Sequence, residues 1–247
     1  MQHSIKSLIG FKLGAIDGEI GKVEEFYFDD ESWTIRYLVV KTGGWLSDRK
    51  VLISPVALME PDWENQSFPV KLTKEQIKHS PDIDTHMPVS RQQEMALYKY
   101  YEWPYGDPIG AGFYGHMGMM GMVESRVSFE QAITAMRNDK EPGDPHLRST
   151  SELKGYRIHA IDGEIGHVTD FTVDEHWRIR FLVLDTGNWF HGKKVLISTE
   201  WITAVSWAHS RVDVGISLEA VKGSPEYDAD QPIRESDETD LNRHYGK

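Results

Sequence analysis

The sequence contains no cysteine, which excludes disulfides, thiolate metal sites, cysteinyl iron–sulfur clusters and a cysteine nucleophile. It is also short of positive charge: 27 Lys and Arg stand against 39 Asp and Glu, a net charge of -12. So acidic a chain repels a phosphate backbone, and no nucleic-acid partner is expected. Long apolar runs are missing too. Stretches such as Leu38-Val39-Val40 fall far short of the roughly 20 residues that cross a bilayer. The first residues, Met1-Gln2-His3-Ser4-Ile5-Lys6, hold no apolar segment of the length a secretory signal needs. The expectation is a cytoplasmic protein without membrane insertion. What remains is ordinary globular material, 247 residues of which 39% are hydrophobic and 27% charged. That is enough for one large or two small domains.

The chain repeats itself. Ala15-Ile16-Asp17-Gly18-Glu19-Ile20-Gly21 returns unchanged as Ala160-Ile161-Asp162-Gly163-Glu164-Ile165-Gly166, and Lys50-Val51-Leu52-Ile53-Ser54 as Lys194-Val195-Leu196-Ile197-Ser198. With one residue dropped near Asp30, the stretch from Ala15 to Ser54 matches that from Ala160 to Ser198 at about 24 of about 39 positions. Ser80-Pro81 against Ser224-Pro225 extends each unit to roughly 80 residues. Two copies around a dissimilar middle describe a duplicated domain, not a solenoid.

Each unit reads as β. Residues 11–16, 22–29, 34–41, 50–54 and 68–72 are short runs rich in Val, Ile, Phe and Tyr, separated by turn residues. Asp17-Gly18 and Asp162-Gly163 predict type I′ hairpin turns that shape the fold, because Gly and Asp tolerate positive φ. Thr73 and Gln76 stand at capping-box spacing and predict a helix over 73–78. The second unit keeps Ser217 at the cap. Five or six short strands are too few for a sandwich, so the fold class is mainly β, two small barrels. The domains expected are 1–84, 85–147, 148–228 and 229–247: barrel, linker, barrel, acidic polar tail. Within the linker, Ser90 and Gln93 predict a helix to about Trp103, stopped by Pro104. Residues 105–122 read as an irregular Gly, Met and aromatic loop, 129–137 as a second short helix, and the chain from Glu226 onward as partly disordered.

The opening Leu8 and Gly10 (Leu153 and Gly155), the Asp-Gly-Glu-Ile-Gly turn, the acidic turn before Trp33 or Trp177, the Arg-(Tyr/Phe)-Leu-Val strand and Lys-Val-Leu-Ile-Ser together resemble the PRC-barrel family. That family takes its name from the cytoplasmic domain of the photosynthetic reaction-centre H subunit. It also includes the C-terminal domain of the ribosome maturation factor RimM. The 88–103 run and the 144–149 lead-in are similar to tandem, stand-alone bacterial members. The resemblance implies a non-enzymatic module that docks on other proteins, a membrane-associated complex among them. Two narrower roles follow from the same resemblance: an auxiliary protein of a photosynthetic or electron-transfer complex, and a ribosome-maturation-type binding module.

No chemical constellation competes with this reading. Gly110-Ala111-Gly112-Phe113-Tyr114-Gly115 matches G-x-G-x-x-G, but it neither leaves a strand nor opens a helix that could hold pyrophosphate. His116, Met117, Met119, Met120 and Met122 are soft-metal ligand types. In an irregular loop they read instead as adaptable packing or contact residues. The carboxylates Asp17, Glu19, Asp162, Glu164, Asp29, Asp30, Glu31, Asp174 and Glu175 sit in turns, where Asp is favoured for backbone reasons. His159, His167, His176, His191 and His209 have no ligand spacing and read as surface residues. The expectation is no catalytic residue, no metal, no cofactor and no enzyme. The duplication predicts an intramolecular pseudo-dimer, with a homo-oligomer open, and the helix of 91–103 at the junction.

One feature does ask for a partner. Both units carry Thr-Gly-(Gly/Asn)-Trp-(Leu/Phe) after the third strand, giving Trp45-Leu46 and Trp189-Phe190. Turns are normally polar. Two readings stay open: the rings fold back as lids on the barrel mouths, or they project as aromatic anchors for a protein partner.

Overall fold

Alternating and β-branched runs become strands wherever they fall in the first half. In the computed structural model, which describes residues 1–46, 49–81, 97, 100–101, 146–187, 192–229 and 231–246, β1 (His3–Ser4) and a single turn α1 (Ile5–Leu8) lead into β2 (Lys12–Ala15). Then come β3 (Gly18–Asp29), β4 (Thr34–Thr42), β5 (Lys50–Ile53), β6 (Ser67–Pro69) and α2 (Lys74–Lys78). The second half repeats the plan as β7 (Leu147–Ser149), α3 (Thr150–Leu153), β8 (Arg157–Ala160), β9 (Gly163–Val173), β10 (Ile179–Asp185) and β11 (Lys194–Ser198). It closes with β12 (Ile202–Ser206), β13 (Arg211–Val214), α4 (Leu218–Lys222) and α5 (Glu235–His244).

The sheets run β5-β4-β3-β2-β6 and β11-β10-β9-β8-β13-β12. In each, the long second strand bends through register shifts and the short final strand returns parallel to the first. Such bulges curl a sheet toward closure. Phe26, Phe28, Tyr37 and Phe68 fill the first barrel, Phe171 and Phe181 the second, all with almost no exposure. The capping box at Thr73 forms as its spacing predicts, with Gln76 N donating to Thr73 Oγ1 at 3.2 Å and Thr73 N to Gln76 Oε1 at 2.8 Å. Ser217 Oγ accepts from Ala220 N in the second unit.

The barrels do not stand apart. β1 of the first half pairs with β9 of the second (Ser4 opposite Thr172), and β7 of the second with β3 of the first (Tyr27 opposite Ser149). Ser4 Oγ donates to Asp170, with Lys6 N donating to the same carboxylate at 3.0 Å. Ser149 and Ser151 donate to Glu25, the residue that matches Asp170. The 33/177 turns cross as well: Ile35 N donates to Trp177 O at 2.8 Å and Ile179 N to Trp33 O at 2.7 Å. Reciprocal contacts between equivalent residues are the mark of a two-fold interface, and the buried side chains of both halves form one continuous cluster.

Three expectations change. The hairpin at 15–18 pairs Ala15 with Gly18, which makes Ile16 and Asp17 the central residues, and neither has positive φ. The turn is therefore not type I′. Residues 226–246 are not a disordered tail: Ile233, Leu241 and Tyr245 are buried, and Tyr245 lies 4.4 Å from the Trp201 ring. Within this acidic stretch Leu241 and Tyr245 stand four apart on the helix, and Ile233 anchors the chain before it through a bridge to Gln2. The duplication also runs further than eighty residues. Leu97 and Tyr101 are buried like Leu241 and Tyr245, and Tyr100 Oη donates to Gln76 O just as His244 Nε2 meets Ala220 O. Beyond Leu97, Tyr100 and Tyr101, the expected helix of 91–103, the loop of 105–122 and the helix of 129–137 lie outside the described residues.

Candidate interaction surfaces

The aromatic turns start from a shared clamp. Thr42 Oγ1 donates to Arg49 O at 2.6 Å and Thr186 Oγ1 to Lys193 O at 2.8 Å, closing both loops at their base. Trp45 has its backbone in a single turn, Gly44–Leu46, with Leu46 half-buried. The Trp45 side chain, Trp189 and Phe190 lie outside the described residues, so lid and anchor remain separate readings.

The Asp-Gly hairpins are built for the fold. Asp17 Oδ1 accepts from Lys74 N and Asp162 Oδ1 from Leu218 N, both at 2.8 Å. Each aspartate thereby satisfies a free donor at the start of α2 or α4. Gly18, at φ 134°, takes a conformation that side chains resist, and Gly163 holds the matching place. Glu19 faces Lys12 at 3.8 Å and Glu164 faces Arg157 at 3.7 Å, all well exposed. Asp29 accepts from Ser32 and Asp174 from His176 and Arg178. These carboxylates do turn work. At the tips, however, Ile16 and Ile161 are 73% and 74% exposed. Their N–H groups are used, donating to Leu72 O and Ile216 O, but the side chains point away from the core.

In the sequence Trp33 and Trp177 stand out only as marks of the family resemblance. In the structure both adopt positive φ, 56° and 62°, a costly conformation for a bulky residue. Trp177 reaches across to within 5.7 Å of Phe68 and 6.3 Å of Phe26 in the other half. A second ring pair flanks the junction. His3 stacks on Trp63 at 3.9 Å, and at the matching place the Arg148 guanidinium lies 4.3 Å over Trp207. Burial pushes the His3 pKa below its ordinary value, and the nearby N-terminal ammonium adds to the shift.

A cleft of about 280 Å³ opens beside α5, floored by Leu196, Ile233 and Leu241 and rimmed by Glu226, Asp237 and Asp240. Two of those carboxylates are already engaged, Asp237 with Arg234 N and Asp240 with Arg243. His167, His176 and His209 are exposed and His159 half-buried; His191 and the Gly and Met motifs of 110–122 lie outside the described residues. Among the described residues no three His, Asp or Glu side chains gather as a metal site, and no helix is long and apolar enough to cross a membrane.

Comparison with known families accounts for the two-barrel plan. The family model of the PRC-barrel domain matches residues 1–77 and 145–214, more than half of the chain and both copies of the repeat. No curated protein matches it.

Proposed function

The chain belongs to the PRC-barrel family, and from that premise we propose that it is a non-enzymatic module for protein interaction or assembly, working in the cytoplasm. The observation that carries the reading is the pair of hairpin tips. A lone exposed isoleucine is ordinary on a protein surface. Here the same isoleucine stands at equivalent tips of a duplicated hairpin, more than 70% exposed at each, while its neighbours Asp17, Gly18, Asp162 and Gly163 are all used by the fold. Two equivalent apolar points on one tied body suit a partner that offers two sockets, because the second contact then forms at high effective concentration. Trp45-Leu46 and Trp189-Phe190 are the further candidate anchors.

The test is capture from native extract on immobilised full-length protein. The Ile16→Ser/Ile161→Ser variant and the Trp45→Ala/Trp189→Ala variant run beside the wild type. One protein should be retained in stoichiometric amount by the wild type and lost with the isoleucine variant, whose melting temperature stays unchanged. Its identity then sorts membrane-complex, ribosomal and cytosolic roles. Retention of nothing by the wild type, or full retention by both variants, would overturn the proposal.

A further inference from the structure

The two halves hold each other through equivalent segments, yet the contacts differ in kind. Gln2, just before β1, is buried; its Oε1 accepts from Thr172 Oγ1 at 2.8 Å and its Nε2 donates to Glu238 at 3.0 Å. Its backbone pairs with Ile233 in both directions. The residue matching Gln2 in the other lead-in is Leu147, and the residue matching Thr172 is Tyr27, both buried. One crossing therefore joins an amide to a small hydroxyl residue where the other has an aliphatic residue and a bulky tyrosine. Charge differs as well. Asp30, which has no counterpart in the second repeat, lies 3.4 Å from Arg148 Nε and 3.0 Å from His146 Nδ1. His3 takes the Arg148 position in the first lead-in.

We propose that these unlike pairs make the junction self-selecting: the first repeat accepts the second repeat, from its own chain or from another copy, and rejects a copy of itself. Two first repeats would set Gln2 against the bulkier Tyr27 in place of Thr172, and would face Asp30 with His3 in place of Arg148. Two second repeats would lay Leu147 over Thr172, which is 0% exposed, and leave its hydroxyl without the Gln2 acceptor. A buried polar group that loses its partner costs more than a made pair returns. Both like-with-like pairings are thus worse than the unlike one. The same logic separates correct from incorrect partners in designed and natural interfaces.

The experiment uses the intact folded chain with a protease site placed after Gly118, cut after folding. Light and isotope-labelled cut preparations are mixed and read by native mass spectrometry. The proposal expects one-to-one pairs that always join a first half to a second half, including light-to-labelled pairs. First–first or second–second pairs would overturn it, as would halves that separate at micromolar concentration. A cycle in the uncut chain reads the code directly. Gln2→Leu removes the hydrogen bonds to both Thr172 and Glu238 and should lower the melting temperature by several degrees, and Thr172→Val added to it should recover the part of that loss that comes from the unpaired Thr172 hydroxyl. Additive losses would show that shape alone, not polar matching, sets the junction.

Discussion

At the scale of single residues, the repeat acts as its own control: a position that stays the same in both copies and touches backbone has a physical reason to do so. Gly21 and Gly166 end the Asp-Gly-Glu-Ile-Gly motif. A Cβ built on Gly21 would lie 2.0 Å from Lys41 O, and one on Gly166 2.1 Å from Asp185 O. No rotamer relieves a clash with backbone. Gly21→Ala and Gly166→Ala should each cost about 2–3 kcal/mol, the scale of overpacking a tight site, read by urea unfolding. The Gly10→Ala change has open space around it, so its cost comes from positive φ alone and serves as the comparison. Where copies differ, chemistry differs. His3 on Trp63 titrates and Arg148 on Trp207 does not. Because burial depresses the folded pKa of His3, its contribution is complete above the ordinary value of about 6.5. That contribution fades as pH falls through the folded pKa, since the unfolded chain takes the proton first. Melting temperature measured from pH 8 to pH 5 should fall less steeply in His3→Gln than in the wild type. An identical slope would show that the ring carries its charge in the stack.

At the scale of elements, α5 is the segment whose role the structure changes. Leu241 is 4% exposed and Tyr245 packs on Trp201, so Leu241→Ala should cost about 2–5 kcal/mol in the manner of a core truncation. A free tail would lose nothing. Tyr245 also belongs to an alkaline response. Burial pushes Tyr101, Tyr227 and Tyr245 each up to about 12. A phenol whose folded pKa is raised stabilises fully below its unfolded value of about 10 and loses that contribution as pH climbs toward 12. Tyr245→Phe should make the decline in stability between pH 10 and pH 12 shallower. The strands, the Thr73 capping box and the duplication were legible because periodicity, cap chemistry and identity are local signals. The turn at Ile16-Asp17 differs from the expected type because Asp-Gly suits several turn types, and the pairing register decides which residues are central. Helix α5 was missed because Glu235–Asp240 is nearly all acidic or small, and its match to the run before Trp103 rests on spaced anchors rather than on identity. The crossing of Trp177 is invisible in the sequence for another reason: its ring contacts, Phe26 and Phe68, lie in the opposite half of the molecule, whereas Trp33 stacks on Phe28 of its own half.

At the scale of the whole molecule, two barrels that complete each other's sheets should behave as one thermodynamic body. β1 belongs by sequence to the first half and by hydrogen bonding to the second, and β7 the reverse. Unfolding either barrel strips a strand and two carboxylate contacts from the other, and the buried cluster is continuous across the junction. Tandem copies joined only by a linker would melt independently, giving a calorimetric enthalpy about twice the van't Hoff value for two equal domains. The interlocked pair should instead give a single endotherm with a ratio near one. Hydrogen exchange supplies the sharper form of the same expectation. Leu241→Ala lies in the second half, yet it should speed exchange of the slowest amides in β4 of the first half by the same factor as those in β10. In a linked but independent pair the β4 amides would not notice the change, and that result would break the picture of a single body from which both hairpin tips are presented.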